Sequence, residues 1–271
     1  MAELSLGSGT TDYTNQYAPE LLYPIERGLQ RQKIGISASA LPFSGQDIWN
    51  GYEFSWLTRS GKPAIGIIRL EVPATSPLLI ESKSMKLYLG SFSGSRFDSA
   101  SQVLAIVQAD VSAVTQASVK VTLVPIANCL IQKLEASVEC LDHLDIDMPE
   151  FTYQPERLKQ LSSDRVEETL YTDLFRSLCP ITGQPDYARI LIAYAGPEWD
   201  KNSLLQYLMS FREHAEFAEQ VSERMFLDIM LHCVPEKLVV AAEFTRRGGL
   251  DINSYRNKGF HDWHYRRNYR Q

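Results

Sequence analysis

Alternating apolar side chains predict a β-hairpin early in the chain. Tyr52, Phe54 and Trp56 recur at every second position, which is the period of a strand with one buried face. A turn-forming SGKP sequence follows at 60–63, and residues 64–72 are again rich in aliphatic side chains. We therefore expect two antiparallel strands joined by a short turn.

Two helical patterns follow this hairpin. Residues 81–92 are predicted to form one helix and residues 98–114 a second, with Asp98 or Ser99 as the N-cap of the second. The apolar stripe of the second helix consists of Val103, Val107, Val111 and Val114. A period of two returns at 119–123, which predicts a further strand.

The second half of the chain repeats this order of elements. Strands are predicted at about 167–177 and 187–195, helices from about 201 and near 215–232, and a last strand at 237–245. Phe217, Val221, Met225 and Ile229 form the stripe of the second helix in this half. Two tandem ββααβ modules predict an α+β fold, in which antiparallel sheets have helices packed on one face.

An acidic, proline-containing stretch at 139–164 lies between the halves and has the composition of a linker or insertion. We place the N-terminal module at residues 1–145 and the C-terminal module, which carries the nucleophile discussed below, at 146–271. The shared order of elements indicates that the modules arose by duplication.

Composition narrows the functional classes. The 271 residues carry a net charge of −6, which argues against a general nucleic-acid-binding surface, although arginines make the C-terminal end locally basic. Cysteines occur at 129, 140, 179 and 233, without a CxxC spacing. Residues 1–7 lack the basic start and apolar run of a signal peptide, and no run of ~20 apolar residues occurs. We expect a soluble cytoplasmic protein.

Cys179 is the strongest candidate for chemistry. It precedes a turn and a carboxylate in CPITGQPD at 179–186, so pairing of the flanking strands would bring Cys179 and Asp186 side by side. An ordinary thiol is only ~3% ionised at pH 7, and forming the thiolate costs roughly 2 kcal/mol. A neighbouring carboxylate that accepts the proton would offset this cost. On residue type alone, the alternative is that Cys179 is a small core residue and Asp186 a turn residue.

Three strings resemble one enzyme family. LIESKSMKLYL at 79–89, CPITGQPD at 179–186 and TRRGGLDIN at 245–253 are similar to the signatures of the NADPH-dependent 7-cyano-7-deazaguanine reductases of queuosine biosynthesis (QueF type). The resemblance covers nearly the whole chain in the long, two-module form of that family. It implies two tandem tunnelling-fold (T-fold) modules and a nitrile reductase, an oxidoreductase of a tRNA-modification pathway.

The resemblance also implies a mechanism. A cysteine adds to the nitrile carbon, and the resulting thioimide accepts one hydride, expels the thiolate as an imine and accepts a second hydride to give the 7-aminomethyl product. Cys179 would be the nucleophile, and Asp186 would be the general acid and base.

The implied cofactor is NADPH, although the chain has no GxGxxG sequence after a strand. The resemblance assigns Lys83 and Ser84 from one half, and Arg247 and Gly248 from the other, to its binding. Lysine and arginine supply charge-assisted bonds to phosphates, and glycine allows close backbone approach. Without the motif, Lys83 would be interpreted as part of a solvated helix face.

The resemblance assigns Glu219 to the guanine-like edge of the substrate and Glu81 to a second purine contact, with Ser82 and Lys83 adjoining. A carboxylate suits adjacent N–H donors, which both of its oxygens can accept.

Position 218 departs from the family pattern, because Ala218 stands where the family has a histidine beside the substrate. His214, read as one helical turn away on the same face, would not reproduce that contact without a shift. We expect the chemistry to survive with weaker substrate positioning.

Two other functions are compatible with parts of the sequence. One is a purine-binding protein of the same fold whose turnover is impaired by Ala218, and another is a cyclohydrolase-like protein that uses zinc. His261 and His264 have the spacing of helical metal ligands but lack accompanying ligands, so no metal site is predicted. Tunnelling-fold modules close their sheets by association, which predicts a homodimer. The expected partner is a small deazapurine nitrile, with no direct nucleic-acid or membrane contact.

Overall fold

The computed structural model describes residues 13–37, 40–128, 131–261, 263 and 265–271. Three parts of the sequence interpretation lie outside these residues. They are Cys129 of the cysteine set, His264 of the histidine pair, and residues 1–12, which include the start examined for a signal peptide. Two compact units are present. The first comprises Met1–Leu41, Gln46–Leu130 and Arg246–Asp251, and the second comprises Pro42–Gly45, Ile131–Thr245 and Ile252–Gln271.

The first unit is built around an antiparallel hairpin. Its strands are β1 (Pro24–Glu26), β2 (Ser44–Thr58, whose first two residues count with the second unit), β3 (Pro63–Pro73), β4 (Leu78–Ile80), β5 (Arg96–Phe97) and β6 (Lys120–Val124). Its helices are α1 (Arg27–Lys33), α2 (Ser82–Ser91) and α3 (Ala100–Thr115). β3 pairs with both β2 and β6, and β1 pairs with β4. The predicted hairpin at 52–72 is confirmed.

Local sequence explains where α3 begins and which face it buries. Ser99 is the N-cap, and its Oγ accepts a hydrogen bond from the Gln102 N–H at 3.2 Å. Of the predicted stripe, Val103, Val107 and Val111 are buried, but the fourth position is Thr115 and not Val114. Thr115 is accommodated because its hydroxyl donates to the Val111 carbonyl at 2.7 Å.

The second unit repeats this plan. Its strands are β7 (Glu139–Cys140), β8 (Gln160–Thr172), β9 (Arg176–Leu178), β10 (Pro185–Trp199), β11 (Lys237–Phe244) and β12 (Leu250–Lys258, whose first two residues count with the first unit). Its helices are α4 (Lys201–Met209) and α5 (Ala218–His232). The strand order is β12-β11-β10-β8-β7, with β9 paired to β10.

Two predictions for this unit need correction. The strand expected at 167–177 is divided into β8 and β9; between them the Asp173 N–H donates to the Asp142 carboxylate and Phe175 is buried. The helix expected from 215 begins at Ala218. The three residues before it run extended beside β9, as described below.

The stretch at 139–164 is more than a linker. It contains β7, a 3-10 turn at Pro155–Arg157 and the start of β8. Leu141 and Leu158 from this stretch are buried in the second unit, and this burial fixes the segment to that unit. The module limits of 1–145 and 146–271 stay a prediction.

Each unit contains an aspartate that accepts hydrogen bonds from two tyrosines. The pairs are Tyr17 and Tyr88 on Asp110 Oδ2 (2.7 and 2.6 Å), and Tyr153 and Tyr207 on Asp228 Oδ2 (2.7 and 2.5 Å). The flanking sequences also match, with YAPELL at 17–22 against YQPERL at 153–158, and YLGSF at 88–92 against YLMSF at 207–211. This agreement in both sequence and contacts supports the predicted duplication.

The predicted α+β class with antiparallel sheets is confirmed, since helices and mainly antiparallel strands occur in both units. In the first unit α3 packs against β6, and in the second α5 packs against β11. Among the described residues, no helix has the length and apolar character needed to cross a membrane.

Candidate active site

Cys179 lies at the mouth of the hairpin formed by β9 and β10. Leu178 pairs with Pro185 and Ser177 pairs with Asp186, and the ladder continues with the Cys179 N–H donating to the Gln184 carbonyl at 2.9 Å. Cys179 therefore faces Gln184, and Asp186 lies two pairs further along, opposite Ser177. Cys179 and Asp186 are diagonal neighbours, whereas the sequence predicted that they lie side by side.

The turn of this hairpin depends on Gly183. Its N–H donates to the Cys179 carbonyl at 2.9 Å, and its φ of +68° is a conformation that favours glycine. Residues at alternate positions of one strand share a face, so Ser177, Cys179 and Asp186 all project from the same side. Diagonal neighbours lie about 7–8 Å apart, which leaves room between sulfur and carboxylate for the atoms of a bound group. Cys179 is half-buried and is not part of a disulfide.

Ser177 is an unexpected member of this face. It is 1% exposed, and its Oγ has no hydrogen-bond partner among the residues that the structure describes. A buried hydroxyl without a partner is uncommon, because desolvation is not compensated.

A short segment, residues 212–216, holds the strand that leads to the cysteine; it leaves a 3-10 turn that ends at Glu213 and runs extended from His214. The Leu178 N–H donates to the His214 carbonyl at 2.8 Å, and the Glu216 N–H donates to the Leu178 carbonyl at 3.1 Å. The Arg176 side chain also donates to the Arg212 carbonyl. We call residues 212–216 the strap. Both backbone polar groups of the residue before Cys179 are fixed by it.

The strap is anchored by a buried ion pair. Glu216 is 8% exposed, and the Arg224 guanidinium holds its carboxylate in a two-point contact, with Nε donating to Oε2 at 2.8 Å and Nη2 donating to Oε1. Burial alone would raise the pKa of Glu216, but Arg224 and the neighbouring His214 outweigh burial and lower it. Glu216 is therefore ionised at neutral pH.

His214 does not lie on the face of α5 that we predicted, because the helix begins after it. Its ring packs against Tyr153, with 5.1 Å between centroids, and against Phe211 at 5.4 Å. Its Nε2 lies 3.1 Å from Glu216 Oε2 without hydrogen-bond alignment. His214 belongs to the strap and does not replace a side chain at 218.

Ala218 and Glu219 form the start of α5. Glu219 is 4% exposed and lies in the first helical turn, where the helix dipole favours a negative charge. Ala218 is the first helical residue and is half-buried.

In the first unit, Glu81 is the N-cap of α2. Its Oε1 and Oε2 accept hydrogen bonds from the N–H groups of Lys83 at 3.0 Å and Ser84 at 2.7 Å. The Ser84 hydroxyl is also used inside this unit, since it donates to the Glu81 carbonyl and accepts from the Tyr23 N–H. Ser82 and Lys83 are half-buried on the first turn of α2.

The segment at 246–251 lies in the same unit as Lys83 and Ser84, and not in the other half as predicted from chain position. A tight turn is closed by bonds between Arg247 and Leu250, and Gly248 has a φ of +57°. A Cβ added to Gly248 would lie 3.5 Å from Lys86 Cδ. The structure therefore brings both candidate cofactor strings together.

A buried network fixes this turn. Asp251 accepts hydrogen bonds from Asn50 Nδ2 at 2.7 Å and from the Tyr52 hydroxyl at 2.6 Å. The Arg246 guanidinium lies 5.2 Å from the centroid of the Tyr52 ring. The result is a glycine-containing turn that carries Arg246 and Arg247 and lies beside Lys86 of α2, and cationic side chains of this kind suit phosphate groups.

Comparisons with known proteins agree with these strings. Residues 13–123 match the family model "Nitrile reductase, 7-cyano-7-deazaguanine-reductase N-term", and residues 185–262 match "QueF-like protein". Proteins named NADPH-dependent 7-cyano-7-deazaguanine reductase are similar over most of the chain. The one from Dechloromonas aromatica strain RCB is 48% identical over 250 residues, 92% of this chain and 88% of that protein. That from Burkholderia vietnamiensis strain G4 is 50% identical over 253 residues, 93% and 92% of the two chains.

The chain belongs to the 7-cyano-7-deazaguanine reductase family. The predicted resemblance is confirmed by this family membership. It does not test the role of any single residue.

Several residues around Cys179 escaped the sequence analysis. Ser177 carries no motif, and its importance depends on the cross-strand register. Glu216 and Arg224 are eight positions apart, and only their shared burial indicates an ion pair. In a sequence, an acidic residue just before a helix and an arginine two turns into the helix are only weak evidence for a buried ion pair.

Among the remaining candidates, His261 is exposed. His264, the other histidine of the predicted spacing, lies outside the described residues. Within the part of the chain that the structure describes, no group of three or more His, Cys, Asp or Glu side chains could hold a metal ion. Cys233 is buried, and burial raises the pKa of its thiol to about 12.

Proposed function

We propose that the protein reduces the nitrile of 7-cyano-7-deazaguanine to the aminomethyl group of 7-aminomethyl-7-deazaguanine with NADPH, in queuosine biosynthesis. Family membership supports the substrate and the cofactor, because relatives at 48–50% identity are named for this reaction. The observation that carries the proposal for this chain is the placement of Cys179 and Asp186 on one face of a fixed hairpin.

Cys179 Sγ bonds to the nitrile carbon, and one π bond of the nitrile breaks. Asp186 accepts the thiol proton and returns it to the nitrogen, which gives the thioimide. After the first hydride reaches the carbon, the C–S bond breaks and the imine forms. Cys179 leaves as a thiolate, ready for reprotonation.

NADPH supplies the two hydrides. The residues that would hold NADPH are Lys83, Ser84, Arg247 and Gly248. Their surroundings fit the group, because Gly248 lies beside Lys86 and the 246–251 turn is fixed by the buried Asp251. Cations bind the phosphates, and the glycine backbone allows close approach. Ser84 contributes through the helix start, since its hydroxyl already has two partners.

Glu219 would bind the guanine-like edge of the substrate, and Glu81 would make a second purine contact, with Ser82 and Lys83 adjoining. Both carboxylates are buried at the first turn or N-cap of a helix. The oxygens of Glu81 accept two backbone bonds and retain lone pairs for a ligand.

The proposal is tested by mass spectrometry of the protein incubated with the nitrile substrate and no NADPH. We expect a covalent adduct, which Cys179→Ala abolishes. Cys233→Ala is the matched control, because its buried thiol has a raised pKa and its loss should leave the adduct unchanged. An adduct that persists in Cys179→Ala, or its absence in the unchanged protein, would contradict the proposal.

Ala218 provides a second test. Restoring a histidine with Ala218→His should raise kcat/KM by about tenfold, on the order of one buried hydrogen bond. NADPH consumption with the nitrile measures the change, and Ala218→Phe controls for side-chain size. No gain with histidine would show that position 218 does not contribute to substrate positioning in this chain.

We further propose a cytoplasmic homodimer. Among the described residues, β7 pairs only with Leu170 and Tyr171 of β8, so most of the outer edge of β8 is available for pairing, and Leu161 on it is largely exposed. Sedimentation equilibrium tests the association, and a monomer at micromolar concentration would overturn it.

A further inference from the structure

The Ser177 hydroxyl is buried beside the proposed nucleophile without a role in the fold. Its side chain is 1% exposed, and Oγ has no hydrogen-bond partner among the described residues. Ser203, another buried serine of the second unit, is satisfied: its Oγ donates to the Asp200 carbonyl at 2.8 Å and accepts from the Lys159 N–H at 3.1 Å. A buried polar atom left without a partner in the free protein is available to a ligand.

The first unit shows what the fold itself requires at this position. In its hairpin the Thr58 N–H donates to the Lys62 carbonyl at 2.9 Å, as the Cys179 N–H does to Gln184. The residue two positions earlier is Trp56 in the first unit and Ser177 in the second. Their cross-strand partners are Ala64 and Asp186.

The two hairpins therefore fill equivalent positions in opposite ways. The first unit pairs the large, buried Trp56 with a small residue, and the second pairs a small hydroxyl with a carboxylate. Because the hairpin accommodates an apolar side chain at this position, packing does not require the serine. The polar pair occurs in the unit that carries Cys179.

We propose that the Ser177 hydroxyl contacts the substrate, by hydrogen bonding to the nitrogen of the nitrile as it becomes the thioimide on Cys179. This inference rests on the proposed function. As the S–C bond forms, the electron pair of the broken π bond moves to nitrogen, and Asp186 supplies the proton that nitrogen takes up. Ser177 gains and loses no proton; it donates to the nitrogen while charge develops there.

The register supports this role. Ser177 and Cys179 lie on one face of the strand, on which Asp186 is the direct neighbour of Ser177. A nitrogen one bond removed from the carbon held by sulfur would therefore lie between three polar groups. Asp186 transfers the proton of Cys179 to this nitrogen, and the Ser177 hydroxyl orients the nitrogen.

The test uses Ser177→Ala in the full chain, with Ser203→Ala as the matched buried-serine control. Removing an unpaired hydroxyl should leave the Tm equal or higher, whereas removing the paired Ser203 hydroxyl should lower it. With the nitrile substrate alone, Ser177→Ala should form the adduct about tenfold to a hundredfold more slowly. The substrate concentration at half-maximal rate should change little, because the contact strengthens during the reaction.

The outcomes separate this inference from the proposed function. If Cys179→Ala forms no adduct and Ser177→Ala forms it at the unchanged rate, the proposed function stands and the serine role is overturned. If Ser177→Ala is slower but also loses Tm as Ser203→Ala does, the hydroxyl is structural, held by an ordered water, and the inference is again overturned. A slower adduct with an undiminished Tm supports it.

Discussion

The two units build the same hairpin and hold it with an equivalent segment, residues 93–97 in the first unit and the strap in the second, but they anchor this segment differently. In the first unit the Leu57 N–H donates to the Ser95 carbonyl at 2.9 Å, and in the second the Leu178 N–H donates to the His214 carbonyl at 2.8 Å. The residue two positions after this carbonyl is Phe97 in the first unit, where its ring is buried against Tyr17 and Phe92, and the next residue, Asp98, is exposed at 4.0 Å from Arg59. In the second unit Glu216 is buried on Arg224.

This difference teaches that the fold does not need the ion pair. The first unit holds the equivalent segment with the buried ring of Phe97, and the exposed pair of Asp98 and Arg59 beside it contributes little to stability. Burying two charges costs desolvation, and the pair is often no better than apolar packing. The second unit nevertheless buries them next to the strand that carries Cys179. We therefore expect the pair to fix the position of that strand.

Arg224→Ala should have the largest effect on stability. It leaves Glu216 buried and ionised without its partner, which costs about 3–5 kcal/mol in the free energy of unfolding. Urea denaturation measures the loss. The double variant Arg224→Leu/Glu216→Leu should recover much of it, because both charges are removed together. A loss in the double variant as large as in the single one would mean that packing, and not charge, holds the strap.

Glu216→Gln should have a smaller, pH-dependent effect of about 2–3 kcal/mol at pH 7. The folded pKa of Glu216 is lowered, so ionisation stabilises the fold above the unfolded pKa of ~4.3 and this contribution is lost as pH falls through the lower, folded value.

Urea denaturation of the parent and of Glu216→Gln between pH 7 and acid pH tests the sign. The difference between the two proteins should shrink as the pH falls below ~4.3. A difference that stays constant with pH would exclude ionisation of Glu216 as its cause.

The sequence predicted those parts of the fold that depend on local pattern. The Ser99 cap, the valine stripe of α3 and the first hairpin follow from spacing and capping alone. His214 lies outside the predicted helix because pairing to Leu178 keeps residues 214–217 extended between a 3-10 turn and α5, although their composition is helical. Long-range pairing overrides local propensity there.

The candidate site was predictable in its residues but not in its register. Cys179 and Asp186 were identified from one string, yet their offset depends on the pairing of Leu178 with Pro185. The isolation of the Ser177 hydroxyl depends on every neighbour that could have bonded to it. Such a property cannot be read from spacing along the chain.

The tyrosine–aspartate contacts should respond alike in the two units. Tyr88→Phe and Tyr207→Phe each remove one hydroxyl from an aspartate that keeps a second tyrosine. We expect a loss of about 1–2 kcal/mol for each in urea denaturation. Leu87→Ala, a half-buried position beside Tyr88, controls for helix packing. Unequal losses would mean that the shared network has diverged in function between the units.

Asp98→Asn should have the smallest effect. Asp98 and Arg59 are 73% and 89% exposed at a separation of 4.0 Å, where water and salt screen the attraction and ordering of both side chains opposes it. We expect less than about 0.5 kcal/mol in urea denaturation. Asp110→Asn, which alters the acceptor of two tyrosines, serves as a sensitive control in the same unit. A loss of 1 kcal/mol or more from Asp98→Asn, on the order of a buried hydrogen bond, would show that the segment at 93–97 also depends on a neighbouring charge, and the contrast between the units would no longer hold.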